Sequence, residues 1–100
     1  NKGFKIIDRN TRKRYGEIDI VALDNTTLVF IEVKTRKGTK FGLPEESITP
    51  WKMHALLRSA QYYKLTHPDL PDEMRVDAVG VRLNEYDEID KILHFPNITS

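Results

Sequence analysis

Thr27-Leu28-Val29-Phe30-Ile31-Glu32-Val33-Lys34-Thr35-Arg36, TLVFIEVKTR, starts as an interior strand and ends on an acid, one apolar residue and a base. Its unbroken apolar run lacks the in-out alternation of a half-exposed strand and predicts cover on both faces, the habit of central strands in layered α/β folds. The run Gly16 to Asp24 is similar, and Asn25-Thr26 between the two marks a hairpin. In a symmetric hairpin about that turn, opposed residues have numbers summing to 51. Asp19 then faces Glu32 and Glu17 faces Lys34, on the side that also carries Val21 with Phe30 and Leu23 with Leu28. The other side carries Ile18 with Val33, Ile20 with Ile31 and Ala22 with Val29.

Opposed carboxylates repel, and burying them near a core costs about several kcal/mol unless a cation compensates. Mg²⁺, or Mn²⁺ in its place, prefers oxygen ligands and commonly takes one or two carboxylates, with water and substrate phosphate completing its shell. Asp19 and Glu32 are the candidate ligands, with the backbone carbonyl of Val33 as a third oxygen. Lys34, on the Glu32 face, would orient or help deprotonate an attacking water and offset charge developing on a phosphate. These are the parts of a metal-assisted phosphodiester hydrolysis. The structural alternative is a pair of cross-strand ion pairs, Glu17 with Lys34 and Glu32 with Arg36. An acid-x-Lys triplet alone fits that as well, and Asp19 at mirrored spacing is what favours catalysis.

The rest of the chain supplies a frame. Phe4 to Asp8 reads as a short strand, followed by a basic loop from Arg9 to Arg14. Arg36 to Ile48, with Gly38, Gly42 and Pro44, reads as loop. Thr49 as N-cap and Pro50 at the first helical position start a helix that runs to about Leu65 and must stop before His67-Pro68. Leu56, Ala60 and Tyr63 share one face of it. Met74 to Leu83 and Lys91 to Phe95 are the last strands. The order predicts an α/β domain on a mixed sheet spanning residues 1–100.

Composition sets the outer limits. With 39% apolar and 31% charged residues the chain is expected to be globular, and one hundred residues suit a single core. It contains no apolar run of spanning length and no leader, so no membrane role is expected, and the absence of cysteine fits a reducing cytoplasm. Residues 1–64 hold 13 Lys and Arg against 7 Asp and Glu, and residues 65–100 hold 3 against 8. A basic first part suits a polyanion such as DNA. Arg12, Lys13, Arg14, Arg36, Lys37, Lys40 and Lys52 are candidate phosphate contacts.

These residues resemble the PD-(D/E)xK nuclease superfamily, with Asp19, Glu32 and Lys34 at the motif positions. More narrowly, Arg14-Tyr15-Gly16-Glu17-Ile18-Asp19, Leu28 to Arg36, Phe41-Gly42 with Pro44, the helix Thr49 to Tyr63, Arg75-Val76-Asp77-Ala78-Val79 and His94-Phe95-Pro96-Asn97 resemble the YraN family. That family is a bacterial group of predicted endonucleases similar to archaeal Holliday-junction resolvases. The resemblance implies a restriction-endonuclease-like mixed central β-sheet flanked by helices and Mg²⁺-dependent cleavage of DNA. By analogy with the resolvases it also implies branched substrates and a homodimer. It implies a polar helix residue facing the metal site, here Gln61. Family members usually open with a helix carrying a further acid, whereas this sequence opens at Asn1-Lys2-Gly3-Phe4, the entry to a strand, so Glu17 is the candidate auxiliary acid. A binding or scaffolding domain that kept the fold without turnover is the alternative function.

Overall fold

The computed structural model describes residues 3–9, 18–37 and 50–98. Within them lie β1 (Lys5–Arg9), β2 (Ile20–Asp24), β3 (Thr27–Lys37), α1 (Pro50–Thr66), β4 (Met74–Leu83) and β5 (Ile89–Phe95). The strands form one sheet in chain order, antiparallel throughout except where β3 and β4 run parallel. Parallel neighbours cannot be joined by a tight turn, so α1 is the crossover that carries the chain back along the sheet. The result is an α/β fold on a mixed sheet, consistent with the restriction-endonuclease-like arrangement.

The hairpin forms as its turn residues dictate. Asp24 pairs with Thr27, and Asn25 adopts a positive φ of 56°, a conformation Asn tolerates better than most residues. The expected register holds from there to Ile20 opposite Ile31. It then stops. Ile18 was expected on the face of Ile20 and Ala22 but packs with Val21, Leu28 and Phe30 instead. The reason lies at Asp19, whose backbone N–H donates to the Ile31 carbonyl at 3.1 Å while its Oδ2 accepts the Val33 N–H at 2.8 Å. A side-chain oxygen takes the place of a ladder carbonyl, and alternation fails beyond it.

Helix α1 buries Leu56, Ala60 and Tyr63, the face its spacing predicts. It ends at Thr66, one residue later than expected, where the Thr66 hydroxyl donates to the Tyr63 carbonyl at 2.9 Å before Pro68 forbids another turn. That face packs on Val21, Leu28, Phe30, Val76 and Ala78. In β1 the pairing slips at Ile7, between Ile6 and Asp8. The bulge lets Ile7 join this core while Asp8 accepts the Tyr63 hydroxyl at 3.0 Å. Along β4 the residues on the helix side shrink from Val76 to Ala78 to Gly80, which lie beside Phe30, Glu32 and Lys34 of β3.

The second face of the sheet carries Ala22, Val29 and Ile31 with Phe4, Ile20, Val33 and Val79 around them. Strands β3 and β5 run two residues further than expected, to Lys37 and from Ile89, because β4 pairs with both over that length. Among the described residues no helix is long and apolar enough to cross a membrane.

Candidate functional site

Strand β3 is the middle of the sheet, and Glu32 sits near its centre with no exposed surface. Alternation places it on the helix side, in line with Leu28 and Phe30. Its neighbour across the parallel ladder is Ala78, whose small side chain leaves room above the carboxylate. Two ammonium groups enter that room. Lys34 Nζ, two residues along the same strand face, lies 3.4 Å from Glu32 Oε2. Lys52 Nζ, from the first turn of α1, lies 3.1 Å from the same oxygen. Both lysines are about a quarter exposed, so the pairs span the boundary between core and solvent.

Asp19, the residue just before β2, brackets Glu32 through its bonds to β3. Its backbone bonds Ile31 and its carboxylate bonds Val33, the residues on either side of Glu32. A regular ladder pair Asp19–Glu32 is not formed; the Asp19 carboxylate sits on the Val33 N–H, one residue along β3 from Glu32. The N–H and C=O of a strand residue project to the same side, so the Val33 carbonyl is directed to the edge where Asp19 replaces the ladder. The structure therefore brings together Asp19, Glu32, Val33 and Lys34. Among the described residues no group of three His, Cys, Asp or Glu side chains is gathered for a metal. Two carboxylates and a carbonyl nevertheless fit a hard divalent cation that keeps most of its water, and a buried carboxylate that already draws two cations has the charge such an ion would meet.

The other candidates fall elsewhere. Lys52 turns inward to Glu32 rather than outward to solvent. Arg36 is exposed, with its guanidinium on the Thr35 carbonyl at 3.1 Å, and Lys37 is exposed and paired to Asp87 at 2.8 Å. Gln61 is exposed and borders a small hollow with Phe30, Leu57, Met74 and Arg75. It lies nine residues beyond Lys52, or about 13 Å along the helix axis. Arg12, Lys13, Arg14, Glu17 and Lys40 lie outside the described residues. The sequence reading has Lys52 as a phosphate contact, and its pairing with Glu32 escaped that reading. A signal was present, because α1 has no acid in its first turn and places a lysine there, at the end of the helix dipole that disfavours cations.

A second buried acid, Asp77, lies on the far face. It accepts bonds from Arg75 Nε at 2.9 Å and from the Asn97 N–H at 2.8 Å, and lies 2.7 Å from His94 Nε2. Arg75 also reaches Asp24 at 3.1 Å and lies over the Phe4 ring. Burial pushes the Asp77 carboxyl up, but the bonds from Arg75, Asn97 and His94 outweigh it and hold it below the usual carboxylate range. This cluster ties β2, β4, β5 and the chain after β5 together.

The sequence matches the profile of the Uncharacterised protein family UPF0102 over residues 1–81. A UPF0102 protein of Syntrophomonas wolfei is 42% identical over 96% of this chain and 82% of its own length. One from Leifsonia xyli is 46% identical over 96% of this chain and 80% of its own. One from Persephonella marina is 41% identical over 81% of this chain and 70% of its own. The matched span contains Asp19, Glu32, Lys34 and Lys52, and with a mixed sheet that sets these residues around one buried carboxylate, the chain belongs to the UPF0102 family, also called YraN.

Proposed function

We propose that the protein is a metal-dependent endodeoxyribonuclease. The observation that carries this reading is the fully buried Glu32 carboxylate, flanked by Asp19 and drawing two ammonium groups at the solvent border. A fold that needed only a sheet would place an apolar residue there, because a buried ion pair rarely outperforms a hydrophobic one in stability. Asp19, Glu32 and the Val33 carbonyl would hold Mg²⁺ or Mn²⁺. Such an ion supplies a water of lowered pKa and neutralises phosphate charge. Lys34 stays next to the carboxylate, where its ammonium orients that water and meets the charge that grows on the phosphate. The exposed Arg36 lies two residues further along β3 and serves the DNA backbone, which carries affinity rather than sequence choice. Similarity to junction resolvases extends the proposal to branched DNA and to a homodimer, since two symmetric cuts suit two-fold symmetry.

Cleavage of labelled duplex, single-stranded, flap and four-way-junction DNA in Mg²⁺, Mn²⁺ or EDTA tests this. Cutting is expected with either metal and not in EDTA. Glu32→Ala and Lys34→Ala should each lose it, by about two orders of magnitude or more, while Lys34→Ala still binds DNA. Binding without cutting under every metal would overturn the enzyme and leave a nucleic-acid-binding domain.

A further inference from the structure

We propose that the outward face of α1 is a stacking platform for unpaired bases, which holds the single-stranded arm of a flap or splayed branch beside Glu32. The inference rests on the nuclease reading above and deepens it, by naming the part of the substrate that this helix meets.

Two observations carry it. The first is a row of aromatic and cationic side chains. At 3.6 residues per turn, Trp51, Arg58 and Tyr62 fall within about 40° of one another around the helix, and Leu65 extends the row. They lie on the side away from the buried Leu56, Ala60 and Tyr63. All four are exposed, Trp51 by 81%. Scattered exposed apolar residues are ordinary, and Trp is nevertheless among the more buried side chains on average. Here an indole and a phenol lie along one line, about 16 Å apart by helical rise, with a guanidinium between them. Each ring offers a face to a base, and a guanidinium can stack on a base or take a phosphate.

The second observation is the charge and place of that row. Helix α1 carries Lys52, Arg58 and Lys64 and no Asp or Glu in its 17 residues, although the chain holds 15 acids. Exposed rings on a helix without a carboxylate suit a polyanion that has π-faces, which is what a nucleic-acid strand is. The row also starts one residue from Lys52, whose Nζ lies 3.1 Å from Glu32 Oε2, so it leads away from the candidate site itself. In a duplex the base faces are covered by their neighbours, and only phosphates remain for the helix. Unpaired bases leave their faces open to the rings, so α1 selects for them.

The chain has one tryptophan, so its emission reports Trp51 alone. A thymidine homopolymer and a fully paired duplex of the same length are titrated in EDTA, by emission for wild type and by anisotropy of labelled DNA for Trp51→Ala, Trp51→Phe and Arg58→Gln. All three variants change exposed side chains, and circular dichroism checks their folding. The single strand should quench Trp51, and the duplex should leave it close to unchanged. Trp51→Ala should bind the single strand about tenfold or more weakly and the duplex within about twofold of wild type. Trp51→Phe, which keeps a ring, should retain most of the affinity. Arg58→Gln should lower the slope of log affinity against log salt for the single strand by about 0.7. Equal quenching by duplex, or unchanged single-strand affinity in Trp51→Ala, would overturn the platform. So would a rise in sedimenting mass with protein concentration that Trp51→Ala abolishes in the absence of DNA, since the face would then belong to a second copy of the chain. Cleavage in Mg²⁺ and Mn²⁺ is scored separately: selective quenching by single strands in a protein that cuts no DNA would keep the platform and remove the nuclease.

Discussion

Burying a carboxylate is unfavourable unless donors or cations replace its water, and Glu32 and Asp77 meet that demand in different ways. Asp77 is held by directed bonds from a guanidinium and a backbone N–H, with an imidazole against it, all within the fold. Glu32 is held by two long side chains that also reach solvent. The first arrangement is rigid and structural; the second can be exchanged for another cation. Asp77 therefore belongs to stability, and its pH dependence follows. Because the folded carboxyl titrates below its ordinary value of 3.8, its contribution is complete above that value. As pH falls the unfolded chain takes up the proton first, and the contribution is lost until the folded carboxyl is protonated as well. Asp77→Asn should cost about 1–3 kcal/mol near neutral pH, since a charged acceptor is replaced by a neutral one. It should also flatten the acid limb of stability. Urea unfolding at stepped pH through the carboxylate range measures both, and an unchanged acid limb would show that other carboxylates set it.

At the scale of elements, the legible parts were those fixed by period and turn chemistry. The helical face Leu56, Ala60 and Tyr63 and the register from Asp24 to Ile20 depend on local rules, and the structure keeps them. The reading failed where a side chain competes with the backbone or where an element turns toward a distant partner. Asp19 ends the ladder by bonding Val33, which sends Ile18 to the helix side, and no strand pattern encodes that. Lys52 looks like a surface lysine until α1 is placed against β3. Asp19 thus combines a strand-closing bond with a candidate metal ligand, and two substitutions separate them. Asp19→Asn retains an oxygen for the Val33 N–H and should stay close to wild type in urea unfolding. Asp19→Ala leaves that N–H unpaired and should cost about 1–3 kcal/mol. Both should lose Mn²⁺ binding in calorimetry. Equal stability of the two variants would mean that the Val33 bond contributes nothing to the end of β2.

Over the whole molecule the fold sets opposite charges side by side, although the sequence separates them. The basic end of β3 runs parallel to β4 as far as Leu83, so it finishes beside the acidic turn that leads into β5. There Lys37 meets Asp87 at 2.8 Å. On the nuclease reading that acid lies close to the path of the DNA backbone from Glu32 along Arg36, and it both neutralises a phosphate contact and repels the phosphate. Asp87 takes no part in the chemistry and has a positive φ of 62°, which Asn adopts as readily, so Asp87→Asn should leave the fold and the cleavage rate at saturating DNA unchanged. It should tighten binding at low salt and steepen the salt slope by about 0.9, the increment for one further phosphate contact. Fluorescence anisotropy of a labelled junction across a salt series reads the change. If affinity and slope both stay fixed, the DNA does not pass this edge, and the basic residues that hold it are to be sought on the other side of β3.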